Sequence, residues 1–319
     1  MSKAAIILAA GQGTRMKSAL PKVLHKVAGL PLLGHVINAL RIAGVERLVV
    51  VTSAAGQVVR DYAKKMGCDT AIQEQQLGTG HAAASAREAL AGFDGTLLVV
   101  NADMPLVTPE TISECLKAQE RTGLALLAFE AEDPGAYGRV LMTPDGFLDR
   151  IVEFKDANAA QRATTFCNAG CYAADAKKFF GWAAALKNDN AQKEYYLTDV
   201  PVLARAHGVA CAVAITDELS VTGVNSRAEL AEAEAKFQNR MRAELLAAGV
   251  TMTAPETVFF AYDTRIENDV EIEPFVVFAG GVTVRNGARL RSHSHLEGAH
   301  VACGAIIGPF ARLRPGAEI

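Results

Sequence analysis

The sequence predicts an α/β chain: a mostly parallel sheet covered on both faces, followed by a β-helix built from hexapeptides. Three observations carry this expectation. Short apolar runs alternate with helical stretches from residue 4 to about residue 215. The first of these runs, "AAIILAA", opens directly into a glycine loop, "GQGTRM". Beyond Val250, apolar residues recur every six positions.

Taken in order, the strand candidates are residues 4–9, 47–52, 96–101, 124–129 and 209–215. Helical patterns lie between them at 32–43, 56–66, 81–91 and 109–122. Continuous Val/Ile/Leu strands separated by helices indicate parallel strands buried on both faces. Such sheets bind ligands outside the carboxyl ends of their strands, where the glycine loop stands. The stretch "YGRVLMTPDGFLDRIVEF" breaks the rhythm and predicts a β-hairpin around Pro144-Asp145-Gly146, forming one wall of the cleft. A long amphipathic helix follows at 226–248. Ile266, Ile272, Phe278, Val284, Leu290 and Leu296 then keep period six. After a slip of one residue the series resumes at Val301, Ile307, Leu313 and Ile319, with small residues in a second register at Ala299, Ala305, Ala311 and Ala317. Neither helices nor ordinary strands repeat every six residues, whereas hexapeptide β-helices do. Three hexapeptides make one coil, so this stretch predicts roughly three coils. It stops on a repeat position, which reads as a truncation.

Composition excludes several classes. With 319 residues, half of them hydrophobic, and a net charge of -3, the chain has material for two cores and no basic excess for nucleic acid. Its longest apolar runs are too short to span a bilayer, and no export signal is present. The six cysteines are scattered, without a zinc spacing, and are expected to be reduced thiols in a cytoplasmic protein.

Three phosphate-binding loops compete for residues 8–25. A dinucleotide fingerprint needs a third glycine where Met16 stands, and a P-loop needs Gly-Lys-Ser/Thr where Gly13-Thr14-Arg15 stands. The remaining form is L-A-A-G-x-G-T-R-M followed by L-P-K, whose backbone N–H groups approach an anion as a nest. Arg15 is suited to clamp phosphate oxygens in a bidentate way, and Lys22 to act as a point charge on the neighbouring phosphate. Asp103 follows a buried strand in "LLVVNADMPL", where a hard cation would want an oxygen ligand, although a turn or helix-cap aspartate reads equally well in isolation. The glycine loop favours the metal. The histidines 293, 295 and 300 are expected in solvent on a solenoid surface.

"LAAGQGTRM" with "LPKVLH" resembles the sugar-nucleotide pyrophosphorylases. More closely, the chain resembles the uridylyltransferase domain of the bacterial bifunctional N-acetylglucosamine-1-phosphate uridylyltransferase / glucosamine-1-phosphate acetyltransferase family. "QLGTGHA", "NADMPLV", "YGRV", "IVEFKDA", "EYYLTD", "VNSR" and "IGPFARLRPGAE" extend the likeness over essentially the whole chain. The resemblance implies a Rossmann-like nucleotidyltransferase domain at 1–225, a linker helix at 226–250 and a truncated left-handed β-helix at 251–319. It implies a nucleotide site at Leu8, Ala10, Gly11, Gly13, Gln73, Gly78 and Thr79, with Arg15 and Lys22 catalytic. Gly138, Glu153 and Asn168 would bind the sugar, and Asp103 with Asn225 would hold Mg²⁺. Asn225 by itself would read as a helix cap, so its ligand role rests on the resemblance alone. Two positions depart from the family pattern. Ala102 replaces the usual glycine before the metal aspartate and is expected to crowd the nucleotide, and Asn168-Ala169-Gly170 replaces Asn-Thr-Gly.

The implied reaction takes UTP and N-acetylglucosamine-1-phosphate to UDP-N-acetylglucosamine and pyrophosphate, in a homotrimer held by the β-helix. Glucosamine-1-phosphate acetylation, the family's second activity, is expected to be missing from a chain with so few coils. The alternatives are a pyrophosphorylase for another sugar-1-phosphate and a non-catalytic nucleotide-binding scaffold.

Overall fold

The structure is a computed structural model describing residues 2–319. It divides into two compact units. One contains the chain up to His25 and then Leu32–Asn225; the other comprises Lys26–Pro31 and Ser226–Ile319.

The first unit is built on strands β1 (Lys3–Leu8), β2 (Arg47–Ser53), β3 (Asp69–Gln73), β4 (Thr96–Asn101), β5 (Leu124–Glu130), β6 (Arg139–Met142), β7 (Leu148–Val152), β8 (Phe166–Asp175) and β9 (Cys211–Ile215). Seven of them form a sheet in the order β9-β5-β8-β4-β1-β2-β3, with the β6–β7 hairpin attached through β8. Within that path β8 alone runs antiparallel to its neighbours. Residues alternate across each parallel strand, so Ala5 and Ile7 enter one core while Ala4 and Ile6 enter the other. All four are fully buried, which is why β1 reads as an unbroken apolar run.

From β1 the chain steps to β2 and β3 on one side, then returns to place β4 on the other. This reversal opens a crevice beyond the carboxyl ends of β1 and β4. The helices covering the sheet follow local signals. In the helix Pro109–Thr122, Thr108 caps the start through Thr111 N–H at 3.2 Å, and Gly123 closes the end at φ 91°. The hairpin forms where expected, its turn closed by Gly146 N–H to the Thr143 carbonyl.

One expectation is corrected, and two strands are added to those expected. The helix expected at 81–91 spans Thr79–Ala84, starting two residues earlier and giving way to turns. Strand β3 was missed because, as a half-exposed edge strand, it lacks a continuous apolar pattern. Strand β8 was missed because a register shift between Asn168 and Tyr172 interrupts its alternation.

The second unit is a β-helix of the left-handed hexapeptide type, with two-residue strands stacked in three parallel sheets. Partners are 18 residues apart on the early coils, as in Phe259↔Val277↔His295. The spacing falls to 17 across the sequence slip, as in Thr283↔His300. The stack begins at Thr251–Met252, ahead of the strict period, because the extra turn Pro255–Thr257 lengthens the first coil. Phe278, Val284, Leu290, Leu296, Val301 and Ile307 fill the interior as predicted. Ile319 instead is 48 % exposed, since coil residues cover it on one side only.

The helix Arg227–Ala247 belongs to this unit and packs on the first coil through Leu245 and Met241 and through polar side chains. The Gln238 amide bonds both the Phe260 N–H and its carbonyl, at 2.9 and 2.8 Å. Arg242 donates to the Val258 and Glu256 carbonyls. The helix therefore supplies the hydrogen bonds that the edge of the first coil would otherwise lack. Among the described residues, no helix is long and apolar enough to cross a membrane.

Candidate active site

The crevice predicted by the strand order is occupied by two adjoining cavities of about 280 and 240 Å³, both lined by residues of the first unit. Leu8, Thr79, Asn101 and Asp103 line both. The first also takes Ala10, Gly11, Lys22, Gln73 and Gly78; the second takes Gly138, Glu153, Asn168 and Asn225.

Around the first cavity the glycine loop is held by side chains. Gln76 donates to the Ala10 carbonyl, and Gln12 donates to Gln76 at 2.7 Å. Gly78, at φ 106°, lies so close to Tyr195 that an added Cβ would stand 2.7 Å from its carbonyl oxygen. That close approach lets Tyr195 N–H reach the Leu77 carbonyl and Gly80 N–H reach the Tyr195 carbonyl. Thr79 completes the join by accepting from Leu197 N–H at 3.0 Å. Gln73 is buried and spends its amide N–H on the Gly78 carbonyl, 3.0 Å away. It supports the loop's shape from behind.

At the junction, Lys22 bridges two oxygen donors. Its ammonium lies 2.5 Å from Asp103 Oδ2 and 2.9 Å from Asn225 Oδ1. Gly13 makes this placement possible: its φ is 60°, and a Cβ there would stand 2.6 Å from Lys22 Cβ. Asn225 is brought to Asp103 by Val224 N–H, which donates to the Asp103 carbonyl at 2.9 Å. Two hard oxygens thus converge on one cationic point, so the donor set fits a hard divalent cation completed by phosphate oxygens. No cluster of three or more His, Cys, Asp or Glu suited to a metal occurs among the described residues.

In the second cavity, Glu153 accepts from the Thr198 hydroxyl at 3.1 Å. Burial pushes its carboxyl above the ordinary range; the Thr198 bond opposes this, and Asp156, Asp199 and Glu194 add to it. Both Glu153 oxygens would lie 3.6 Å from a Cβ at Gly138, so glycine keeps this face open. Asn168 uses its amide within the chain, accepting from Gly170 N–H and donating to the Tyr172 hydroxyl.

The structure brings together most of the predicted residues, but not all. Gly13 and Arg15 line neither cavity, and Arg15 is exposed on the turn Thr14–Met16. Gly13 acts indirectly, through the room it leaves for Lys22. Ala102 does not crowd the nucleotide side: it is 1 % exposed and belongs to the core behind the cavities. Ala169 does line the second cavity. The three histidines 293, 295 and 300 are exposed, as expected. Among the lining residues that the sequence reading gave no role are Gln76 and Asn101. Gln76 stood in the "QLGTGHA" motif without a role. Asn101, the last residue of β4, was signalled only by its position at a carboxyl end. Its amide occupies space left by Gly170, where a Cβ would stand 2.3 Å from Asn101 Nδ2.

Comparison with known proteins agrees with this geometry. Residues 5–170 match the MobA-like NTP transferase domain family. The chain is 50 % identical to the Bifunctional protein GlmU of Roseobacter denitrificans, over 100 % of this chain and 71 % of that protein. Identity to the protein of the same name from Jannaschia sp. is 49 %, over 99 % of this chain and 70 % of that one. For Ruegeria sp. (strain TM1040) it is 51 %, over 100 % and 71 %. With the glycine loop and the carboxylate-bearing cavity meeting at Asp103, and with these matches over the whole chain, the chain belongs to the GlmU family as a nucleotidyltransferase.

Proposed function

We propose that the chain transfers a uridylyl group from UTP to N-acetylglucosamine-1-phosphate, forming UDP-N-acetylglucosamine and pyrophosphate. The observation that carries this reading is Asp103, which lines both cavities and meets Lys22 and Asn225 at their junction. A nucleotide triphosphate on the glycine-loop side and a sugar phosphate on the Glu153 side would bring their phosphates together there. An oxygen of the sugar phosphate attacks the α-phosphorus, the bond to the α–β bridging oxygen breaks, and pyrophosphate departs with that electron pair. The attacking phosphate is already ionised, so the task is positioning and charge neutralisation.

Lys22 neutralises charge at the reacting phosphorus, and the backbone of Ala10 and Gly11 receives the nucleotide. Gly138, Glu153 and Asn168 orient the sugar, and Thr79 and Leu8 separate its seat from the base. Arg15, outside the cavity walls, is assigned to the departing pyrophosphate. Asp103 and Asn225 would hold Mg²⁺, which when bound supplies Lewis-acid stabilisation of the phosphate oxygens. We further assign the protein to the cytoplasm, and to a homotrimer built through the β-helix unit, which sedimentation equilibrium would test.

The deciding experiment is pyrophosphate release across the four nucleoside triphosphates and a panel of sugar-1-phosphates. UTP with N-acetylglucosamine-1-phosphate should give the highest kcat/KM. Preference for another pair would make the chain a pyrophosphorylase for that sugar, and no release with any pair would leave a binding scaffold.

A further inference from the structure

Arg139 is 1 % exposed, yet among the described residues its side chain donates to no carboxylate. Its guanidinium is spent on peptide carbonyls. Nη1 donates to Pro134 and Tyr137, Nη2 to Gly135 at 3.0 Å and to Arg162, and Nε to Arg162 at 3.3 Å. The Phe154 ring lies 5.6 Å away. Burying a guanidinium is costly unless its donors are satisfied, and a segment that gathers several carbonyls around one is held in a defined shape.

That shape has a consequence at the second cavity. A peptide unit is planar and trans, so its C=O and N–H point in opposite directions. Turning the Gly135 carbonyl to the guanidinium turns the Ala136 N–H away from it; the Tyr137 carbonyl does the same for Gly138 N–H. Ala136 and Gly138 both line the second cavity. By contrast, the neighbouring N–H groups are used within the segment: Gly135 donates to Asp133 Oδ1 at 3.0 Å and Tyr137 to the Pro134 carbonyl at 3.1 Å. Gly138 is also anchored by its own carbonyl, which accepts from Asn168 N–H at 2.9 Å.

We propose that Arg139 is a positioning residue for the sugar substrate: by gathering the carbonyls of Gly135 and Tyr137, it presents the N–H groups of Ala136 and Gly138 as paired donors to an acceptor oxygen of the sugar, its acyl carbonyl or a ring hydroxyl. This deepens the uridylyl-transfer reading and rests on it. Lysine at this position keeps the charge but loses the planar fork, so it cannot hold several carbonyls in register.

Arg139→Lys should raise KM for N-acetylglucosamine-1-phosphate about tenfold, the loss of one to two hydrogen bonds, while KM for UTP changes by less than about twofold. A structural defect would instead move both KM values together with the melting temperature, and that result overturns the proposal. Unchanged kinetics in the variant overturn it too. Hydrogen exchange of the wild-type chain gives a second measurement that needs no variant. UDP-N-acetylglucosamine should slow exchange across residues 133–139 several-fold more than UTP does, and equal exchange with the two ligands overturns the assignment. Wild-type turnover of the two substrates is the control: its absence refutes the reaction, whereas its presence beside an unaffected variant refutes only the role of Arg139.

Discussion

Lys22 and Asp103 form the ion pair at the centre of the site, 12 % and 18 % exposed at their side chains. A metal seated on Asp103 and Asn225 would compete with the ammonium for the same two oxygens, and triphosphate offers that ammonium another partner. Asp103→Asn is therefore expected to lose at least about a hundredfold in kcat with an unchanged melting temperature. Near-normal Mg²⁺-dependent turnover in that variant would remove Asp103 from the metal site. Lys22→Met should lower kcat comparably, yet bind Mn²⁺ more tightly than wild type when nucleotide is absent. Water-proton relaxation reads that affinity, and weaker binding in the variant would show that Lys22 is no competitor. Glu153 gives a pH test. Its carboxyl holds its proton to higher pH in the folded chain than in the unfolded one, chiefly through burial. Its protonation thus stabilises the fold below the ordinary carboxylate range, and this contribution disappears as pH rises through the raised value. Glu153→Gln should consequently raise the melting temperature near neutral pH by about 2 °C and weaken sugar-phosphate binding. A lower melting temperature at pH 7 in the variant would contradict the burial account.

At the scale of elements, the glycine loop works through what its backbone permits. Gly13 adopts φ 60° and leaves the space that Lys22 Cβ occupies. Gly13→Ala is expected to cost about 1–2 kcal/mol in the left-handed region and to lose kcat as Lys22 variants do. Kinetics beside a thermal melt would check this, and a variant that melts lower but turns over normally would separate the glycine from Lys22. The loop, the strand before it and the lysine after it were legible in the sequence, because a left-handed turn after a buried strand demands a glycine, here Gly13. The role of Gly13 was not. It was assigned to the nucleotide, whereas its contact is with Lys22, a side chain nine residues further on.

Over the whole molecule, the β-helix depends on how the edge of its first coil is closed. Gln238, 2 % exposed, and Arg242, 9 % exposed, satisfy the backbone of Val258 and Phe260 from the helix Arg227–Ala247. Gln238→Leu leaves a buried N–H and carbonyl without partners and should destabilise this unit by about 2–4 kcal/mol. Calorimetry should then show a lowered transition while kcat stays within about twofold, since the proposed catalytic residues lie in the other unit. An unshifted transition would mean that the edge needs no such cover.

By itself the sequence determined the alternation of strands and helices, the glycine loop and the hexapeptide coil. Each of these is a local pattern: a continuous buried strand, a required positive φ, or one interior residue per six. Only the tertiary structure decided that Arg15 stands outside the cavity walls, that Ala102 faces the core, and that Gln76 and Asn101 face the cavities. The same holds for Arg139, which "YGRV" presents as one more strand residue, and for the helix after Asn225, which looked like a linker. Their partners are backbone carbonyls, those of Arg139 in the loop just before it and at Arg162, and those of Arg242 on the first coil. A hydrogen bond to a backbone carbonyl leaves no trace in the identity of the residue that supplies it, since every residue carries the same acceptor.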